Sequence, residues 1–138
     1  MLKLNVFTPE RKVLEGRAVS EVTLTGSEGQ IQILAGHETF VGTFETGPFS
    51  YRVEGEGQAI GVISSGFFSV NDDAVTLTVE TLEMSGEIDV ERARAAQDLA
   101  EKTLQQADLE EHQFKKYQLK LQRAIIRQQV GGTTGAGT

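Results

Sequence analysis

Residues 75–93 read VTLTVETLEMSGEIDVERA and contain the change of period on which the fold depends. From Val75 to Glu80 apolar and polar side chains alternate, which is the pattern of a half-buried β-strand. From Asp89 onwards apolar residues recur every three or four positions, which is typical of an amphipathic helix. Asp is a residue type that caps a helix N-terminus, so Asp89 marks the start of the helical part.

The segment before this change repeats the alternating pattern in short runs. Leu2, Leu4 and Val6 form one such run. Turn-forming residues separate the runs, and they include Gly26, Gly29, Gly36, Gly47-Pro48, Gly55, Gly57 and Asn71-Asp72-Asp73. Many short strands between turns are typical of an antiparallel sandwich. We therefore predict a β-sandwich of about eight to ten strands over residues 1–84, with Asp72 and Asp73 in a hairpin turn.

The segment after the change carries two apolar stripes, which predict two helices. The first stripe comprises Ala93, Ala96, Ala100, Leu104 and Ala107. The second comprises Phe114, Tyr117, Leu121, Ala124, Ile125 and Gln128. With a short joint at residues 105–110 and the second helix starting near Asp108, an antiparallel helical hairpin is expected over residues 85–130. The fold class is thus α+β, and the Gly/Thr-rich residues 131–138 are expected to form a disordered tail.

Charge is distributed unevenly along the chain, whose net charge is −7. Residues 1–84 have a net charge of −7 and residues 85–111 one of −5. Residues 112–138 have a net charge of +5 and contain no acidic residue, the cations being Lys115, Lys116, Lys120, Arg123 and Arg127. An acidic first helix and a basic second helix attract each other, but exposed pairs contribute only ~0–1 kcal/mol each. The hairpin is therefore expected to open when an acidic partner competes for the basic helix.

The sequence lacks the residue patterns of an enzyme. There is no Cys, only two His, and neither a Gly-x-Ser-x-Gly elbow nor a phosphate-binding loop ending in Gly-Lys-Ser/Thr. No run of about 18 apolar residues is present, so contact with a membrane is expected only through a partner. The N-terminus alternates like a strand and does not resemble a signal peptide. We predict a non-catalytic protein with no metal ion and no required cofactor.

Five motifs together resemble the epsilon subunit of the rotary F-type ATP synthase, of the bacterial and chloroplast type. They are Thr8-Pro9-Glu10, the glycine-spaced stretch from Gly26 to His37, Ser65-Gly66-Phe67-Phe68-Ser69-Val70, Val75-Thr76-Leu77, and Ile88-Asp89-Val90-Glu91-Arg92-Ala93. They occur in the order and at the spacing of that family over residues 1–130. The chain departs from the family pattern at Ala35, where Pro is usual, and at Glu38-Thr39-Phe40, where a more apolar run is usual.

This resemblance implies a subunit of the central stalk that couples the catalytic head to the membrane c-ring during proton-driven ATP synthesis. The implied partners are the gamma subunit, the c-ring and, through the C-terminal helices, the catalytic beta and alpha subunits. The implied location is the cytoplasmic face of a bacterial plasma membrane, with the subunit peripheral to it. The resemblance also implies that the helical hairpin inhibits ATP hydrolysis when it extends.

The resemblance further assigns three groups of residues. Contact with the c-ring is implied for loop 28–38, through Glu28, Gly29, Gly36, His37 and Glu38. Inhibitory contact with the beta subunit is implied for Lys115, Lys116, Lys120, Arg123 and Arg127. A regulatory ATP site is implied for Glu83, Ile88, Asp89, Arg92, Ala93, Arg123 and Arg127, where Arg at i and i+4 of one helix would grip phosphates.

Other interpretations of the same residues remain open. Residues 28–38 can form an ordinary strand–turn–strand with glycines for the turn geometry. Asp89 can act only as a helix cap, Arg92 as a surface ion pair, and the basic helix as a solvated face. A second class of function is a free-standing adaptor whose basic helix binds an acidic partner or nucleic acid. Against nucleic acid, the sandwich is acidic and the only aromatic residues of the basic helix are Phe114 and Tyr117.

Overall fold

The computed structural model describes residues 1–36, 38–106 and 108–131. The chain first forms ten strands: β1 Leu2–Phe7, β2 Lys12–Val19, β3 Glu21–Gly26, β4 Gly29–Leu34, β5 Phe40–Phe44, β6 Gly47–Val53, β7 Gly57–Ile63, β8 Gly66–Asn71, β9 Ala74–Val79 and β10 Leu82–Met84. A 3₁₀ turn at Ser85–Glu87 leads into helices α1, Val90–Leu104, and α2, Glu111–Gly131. The predicted α+β fold, a β-sandwich followed by two helices, is confirmed. The predicted tail lies outside the described residues, except for Gly131, which ends α2.

The strands form two five-stranded sheets. The first sheet has the order β2-β1-β9-β8-β5 and the second the order β10-β7-β6-β3-β4. Neighbouring strands are antiparallel except β1 and β9, which run parallel from the pair Lys3 and Ala74 to the pair Phe7 and Thr78. The expectation of an antiparallel sandwich therefore needs this one correction. Period-two alternation defines which face of a strand is buried, but it carries no information on strand direction.

The core lies between the inner faces of the two sheets. The alternating residues Leu2, Leu4 and Val6 of β1 are all fully buried, and so are Val75 and Leu77 of β9. Burying each such side chain contributes roughly 1.5–3 kcal/mol, so the alternation read from the sequence accounts for the packing of the sandwich.

The hairpin turn predicted at Asp72 and Asp73 is present between β8 and β9. Both residues have a left-handed backbone conformation, with φ values of 49° and 62°. Two consecutive positive φ values define the type I′ turn, which matches the twist of a two-residue hairpin, and Asp tolerates this conformation better than most residues.

The helical hairpin packs on the second sheet through a small apolar cluster. Three side chains are buried together: Val62 of β7, Ile88, which precedes α1, and Val130 of α2. At the end of α2 the backbone of Gly131 approaches so closely that a Cβ atom there would lie 2.8 Å from Ile88 Cγ2 and 2.9 Å from Val90 Cγ2. The end of α2 is therefore fixed against the start of α1.

The predicted helical stripes are only partly buried. Ala93, Ala100 and Ala124 are buried as predicted, whereas Ala96 is exposed and Phe114 is 41% exposed. The second helix starts at Glu111 and not near Asp108. Since α2 has 21 residues against 15 in α1 and their junction-side ends meet, the first turn of α2 projects beyond α1, which leaves Phe114 without a facing helix. The last residue of the first stripe, Ala107, lies outside the described residues.

Candidate functional site at the helical hairpin

The junction between the sandwich and the hairpin contains a partly buried ion pair. Arg127 of α2 donates from Nε to Glu83 Oε1 at 2.7 Å and from Nη2 to Glu83 Oε2 at 2.9 Å. The two side chains are 20% and 31% exposed. Within the described residues, this is the ion pair that links the sandwich to the hairpin. A two-pronged guanidinium–carboxylate contact fixes orientation as well as distance, so it sets how α2 lies on the sheet.

The motif from Ile88 to Ala93, at the start of α1, stabilises that helix. Asp89 is the N-cap, and its Oδ1 accepts a hydrogen bond from the backbone N–H of Arg92 at 3.1 Å. Ile88 is 9% exposed and Ala93 is fully buried. In this folded state, Ile88 and Ala93 form the apolar base of the hairpin, and only the side chain of Arg92 projects toward a cavity.

A cavity of about 340 Å³ lies between the two helices, and we call it the interhelix cavity. Its lining combines small apolar residues with cations, namely Arg92, Ala96, Leu99, Ala100, Tyr117, Lys120, Arg123, Ala124 and Arg127. The three arginines that the sequence assigned to phosphate binding thus meet around one space. Glu83 does not line this cavity. It faces a second cavity, of about 360 Å³, between α2 and the sandwich, which Arg123 and Arg127 also line.

Besides small or aliphatic residues, Tyr117 and Lys120 line the interhelix cavity and were absent from the ATP site expected from the sequence. Lys120 was assigned only to the inhibitory face and Tyr117 only to the apolar stripe. The Lys120 Nζ atom lies 4.9 Å from the centroid of the Tyr117 ring, a cation–π contact of about 0.5–1 kcal/mol at an exposed position. Their spacing from Ala124 and Arg127 follows the i, i+3, i+4 rule, so the helical period could have placed all four on one face.

Polar contacts between the helices are also present. Gln128 of α2 donates from Nε2 to Gln97 Oε1 of α1. The same Nε2 also donates to the carbonyl oxygen of Ala124 within α2. These half-buried amides hold α2 against α1 beside the interhelix cavity.

The outer surface of α2 is basic, as predicted. Lys115, Lys116, Lys120 and Arg123 are all exposed, and Leu119 among them is 60% exposed. Lys115 pairs with Glu111 at 3.5 Å, with both side chains in solvent. Arg127 does not belong to this outer surface in the folded state, because its guanidinium is turned toward Glu83.

The residues expected to meet the c-ring do not form one loop. Glu28 and Gly29 lie at the turn between β3 and β4, whereas Gly36 and Glu38 lie beyond the other end of β4. Strand β4 occupies positions 29–34, so roughly 17 Å separates the two groups along it. The expectation of a single ring-facing loop over 28–38 is therefore corrected to a strand with two separate ends. His37 lies outside the described residues.

The Gly36 end is tied to the first sheet. The Gly36 N–H donates to Asp73 Oδ1 at 2.8 Å. Large apolar side chains are exposed close to it, with Leu34 at 48%, Phe40 at 49% and Val41 at 72%. The Glu28 end lacks such side chains among the described residues, since the turn consists of Ser27 and Glu28 between two glycines.

The fold and the site define a small accessory protein, a β-sandwich joined to a helical hairpin whose second helix is basic. Two family models match the chain in succession: the β-sandwich domain of the ATP synthase delta/epsilon chain at residues 1–85, and the long α-helix domain of the same chain at residues 87–132. The chain belongs to the ATP synthase delta/epsilon family. Membership makes it a non-catalytic subunit of that complex.

Curated relatives support this assignment. The ATP synthase epsilon chain of Trichlorobacter lovleyi is 42% identical over 131 residues, which cover 95% of this chain and 94% of that relative. The epsilon chain of Halalkalibacterium halodurans is 40% identical, with 95% and 97% covered.

Solved structures agree with the fold. A chain of the mitochondrial ATP synthase of Euglena gracilis, determined with its F1 and c-ring parts, matches with a TM-score of 0.81 and 27% identity, over 90% of this chain and 77% of that chain. A chain of the Tetrahymena thermophila central stalk and c-ring matches with a TM-score of 0.62 and 21% identity over 96% of both chains, which supports the fold alone. Within the described residues, no helix is both long and apolar enough to cross a bilayer, and no cluster of acidic and His side chains is suited to a metal ion.

Proposed function

We propose that this subunit works in the central stalk, where the sandwich joins the gamma subunit to the c-ring and the helical hairpin acts as a brake on ATP hydrolysis. The observation that carries the proposal is the weak attachment of a strongly basic helix. In the described residues, α2 is held on the sandwich by the Arg127–Glu83 pair and a small apolar cluster, in which Val62, Ile88 and Val130 are buried and Ile60, Val90 and Ile126 pack against them. Such an attachment allows two states, so partners can shift the equilibrium between them.

The basic outer surface of α2 supplies the braking contact in this proposal. Lys115, Lys116, Lys120 and Arg123 are exposed in the folded state, and Arg127 joins them when it leaves Glu83. The partner would be an acidic segment of the catalytic beta subunit, with alpha adjacent. Cations that are desolvated against carboxylates interact more strongly than in water, which would hold the extended hairpin in place. The enzyme would lie at the cytoplasmic face of the bacterial plasma membrane.

Truncation tests the brake. Ending the chain at Met84 removes both helices and leaves the ten strands intact. We expect the membrane-free catalytic complex to hydrolyse ATP several-fold faster with the truncated subunit than with the full chain, while the sandwich still co-purifies with gamma. Equal rates would reduce the hairpin to a structural role. Loss of co-purification in both forms would contradict the proposed place in the stalk.

The two ends of β4 would serve different neighbours. Glu28 and Gly29 form a tight polar turn that fits a surface contact with the rotating ring. Gly36 and Glu38 lie beside the exposed Phe40 and Val41, and permanent interfaces between subunits are more apolar than transient ones. We therefore assign the Glu28 end to the c-ring and the Gly36 end to gamma.

Single cysteines test this assignment, because the chain has no Cys of its own. With a short bifunctional cross-linker in the assembled enzyme, Glu28→Cys is expected to give a product containing the ring subunit. Glu38→Cys is expected to give a product containing gamma. Mass spectrometry identifies the subunit that is cross-linked to each cysteine. The reverse pattern would contradict the assignment, and the cysteine-free chain is the control.

Regulatory ATP is the third part of the proposal. Arg92, Arg123 and Arg127 meet around the interhelix cavity, and guanidinium groups match phosphate oxygens well. Bound between the helices, ATP would favour the folded, non-braking state, since only that state assembles the cavity. Ile88, Asp89 and Ala93 would support this site through the fold of the hairpin base, and Glu83 would support it by orienting Arg127. A calorimetric titration with millimolar ATP that released no heat would remove this part.

A further inference from the structure

Three of the four cations that line the interhelix cavity have no counter-ion among the described residues, the exception being Arg127, which pairs with Glu83. Arg92, Lys120 and Arg123 form no ion pair with any other described residue, although the chain has a net charge of −7. Arg94, by contrast, lies only two residues beyond Arg92 and pairs with Glu91 at 3.4 Å. Among the residues that the structure describes, no carboxylate lines the cavity. A space surrounded by unpaired cations is suited to an anion.

The cations are spread along the cavity and do not cluster at one point. Arg127, Arg123 and Lys120 follow one face of α2 at spacings of four and three residues. Seven residues of helix cover about 10 Å, so the outermost cations lie about that far apart along the axis. A chain of phosphates extends along the axis and can therefore contact cations spaced in this way more readily than a single phosphate group can.

The position of Lys120 is favoured by a contact with its neighbour. Tyr117 is half-buried where the cavity meets Leu99, and its ring lies under the Lys120 ammonium at 4.9 Å. The ring attracts the cation without neutralising it. Lys120 is therefore held at the cavity end that is farther from the junction, with its hydrogen-bond donors available to a ligand.

We infer that Lys120, positioned by Tyr117, is a fourth cationic ligand of the nucleotide site and selects a triphosphate over a monophosphate. This inference rests on the ATP site proposed above. Arg92, Arg123 and Arg127 hold the phosphates nearer the junction, and Lys120 binds the phosphate at the far end. It follows that Lys120 is withdrawn from the braking surface while ATP is bound.

Calorimetric titration of the full-length subunit tests the inference, with ATP and AMP as the two ligands. The variants are Lys120→Gln, Lys120→Arg and, as a matched control, Lys116→Gln, which removes the same charge from α2 but does not line the cavity. We expect Lys120→Gln to weaken ATP binding roughly tenfold and to leave AMP binding unchanged. Lys120→Arg should retain ATP binding, and Lys116→Gln should match the wild type.

The possible results distinguish this inference from the proposed ATP site on which it rests. If the wild type binds ATP and Lys120→Gln binds it equally well, Lys120 is not a ligand, and the ATP site of the three arginines stands. If Lys120→Gln weakens the binding of AMP and of ATP by the same factor, Lys120 does not discriminate a triphosphate from a monophosphate. If the wild type binds no ATP, both the site and the inference are wrong. Because Lys120 is exposed, the variants should fold, and thermal melts confirm it.

Discussion

Changing Arg127 to Glu is expected to release the helical hairpin from the sandwich. The substitution places two carboxylates together at a junction where the side chains are only 20% and 31% exposed, and like charges there repel. Losing the charge-assisted pair alone removes about 1.5–3 kcal/mol from the free energy that holds the hairpin on the sandwich. A shift of that size is enough to populate the open state, since the remaining contact is a small apolar cluster. Hydrogen exchange of α2, measured on the isolated subunit without nucleotide, should accelerate at least tenfold relative to β1 and β9 of the sandwich.

Two further variants make this result specific to the pair. The exchanged pair, Glu83→Arg with Arg127→Glu, restores opposite charges and should return the exchange rates of α2 most of the way to the wild type. Arg94→Glu makes the same charge change in the exposed pair with Glu91 and should leave docking unaltered. Equal acceleration in Arg94→Glu and Arg127→Glu would show that overall charge, and not the junction, governs docking.

Replacing Gly66 with Ala is expected to destabilise the sandwich strongly. Gly66 lies in β8 between β5 and β9, and a Cβ atom there would overlap the Thr78 carbonyl oxygen and lie 3.1 Å from Phe44 Cζ. The first of these contacts is to backbone, so no side-chain rotation relieves it. We expect a loss of about 3 kcal/mol in the free energy of unfolding, at the upper end of overpacking effects. Thermal unfolding should shift down by more than about 10 °C.

Gly86→Ala is the matched control for this prediction. Gly86 lies in the 3₁₀ turn, where a Cβ atom would meet nothing within 4 Å. Its free energy of unfolding should stay within about 0.5 kcal/mol of the wild type. A Gly66→Ala protein as stable as Gly86→Ala would mean that β8 and β9 can separate to admit the methyl group.

The sequence predicted those parts of the fold that depend on local chemistry. Alternation of apolar residues located the strands, because each side chain of a strand faces one side or the other. Asp89 was identified as a helix cap, and Asp72 with Asp73 as a hairpin turn, because these residue types favour those backbone conformations wherever they occur. The resemblance to the epsilon family came from short motifs in order, and the family is confirmed.

The candidate site was predictable only in part. The three arginines were found because two of them share a helix face and the third belongs to a motif. Tyr117 and Lys120 were missed as cavity residues because the helical period shows which residues share a face but not that a cavity lies between that face and the neighbouring helix. Residues 28–38 contain strand β4, and its pairing with β3 was not predicted because pairing between strands depends on a partner elsewhere in the chain.

By itself, then, the sequence determined the two kinds of structure, the point where one gives way to the other, the family, and a basic second helix on an acidic protein. These follow from residue type, period and charge, which are properties of neighbouring positions. Only the tertiary structure decided the parallel pairing of β1 with β9, the contact of Arg127 with Glu83 across 44 positions, and the unpaired cations around one cavity. The physical reason is that burial, ion pairing and cavity shape depend on contacts between distant segments, which form only when the sandwich and the hairpin pack together.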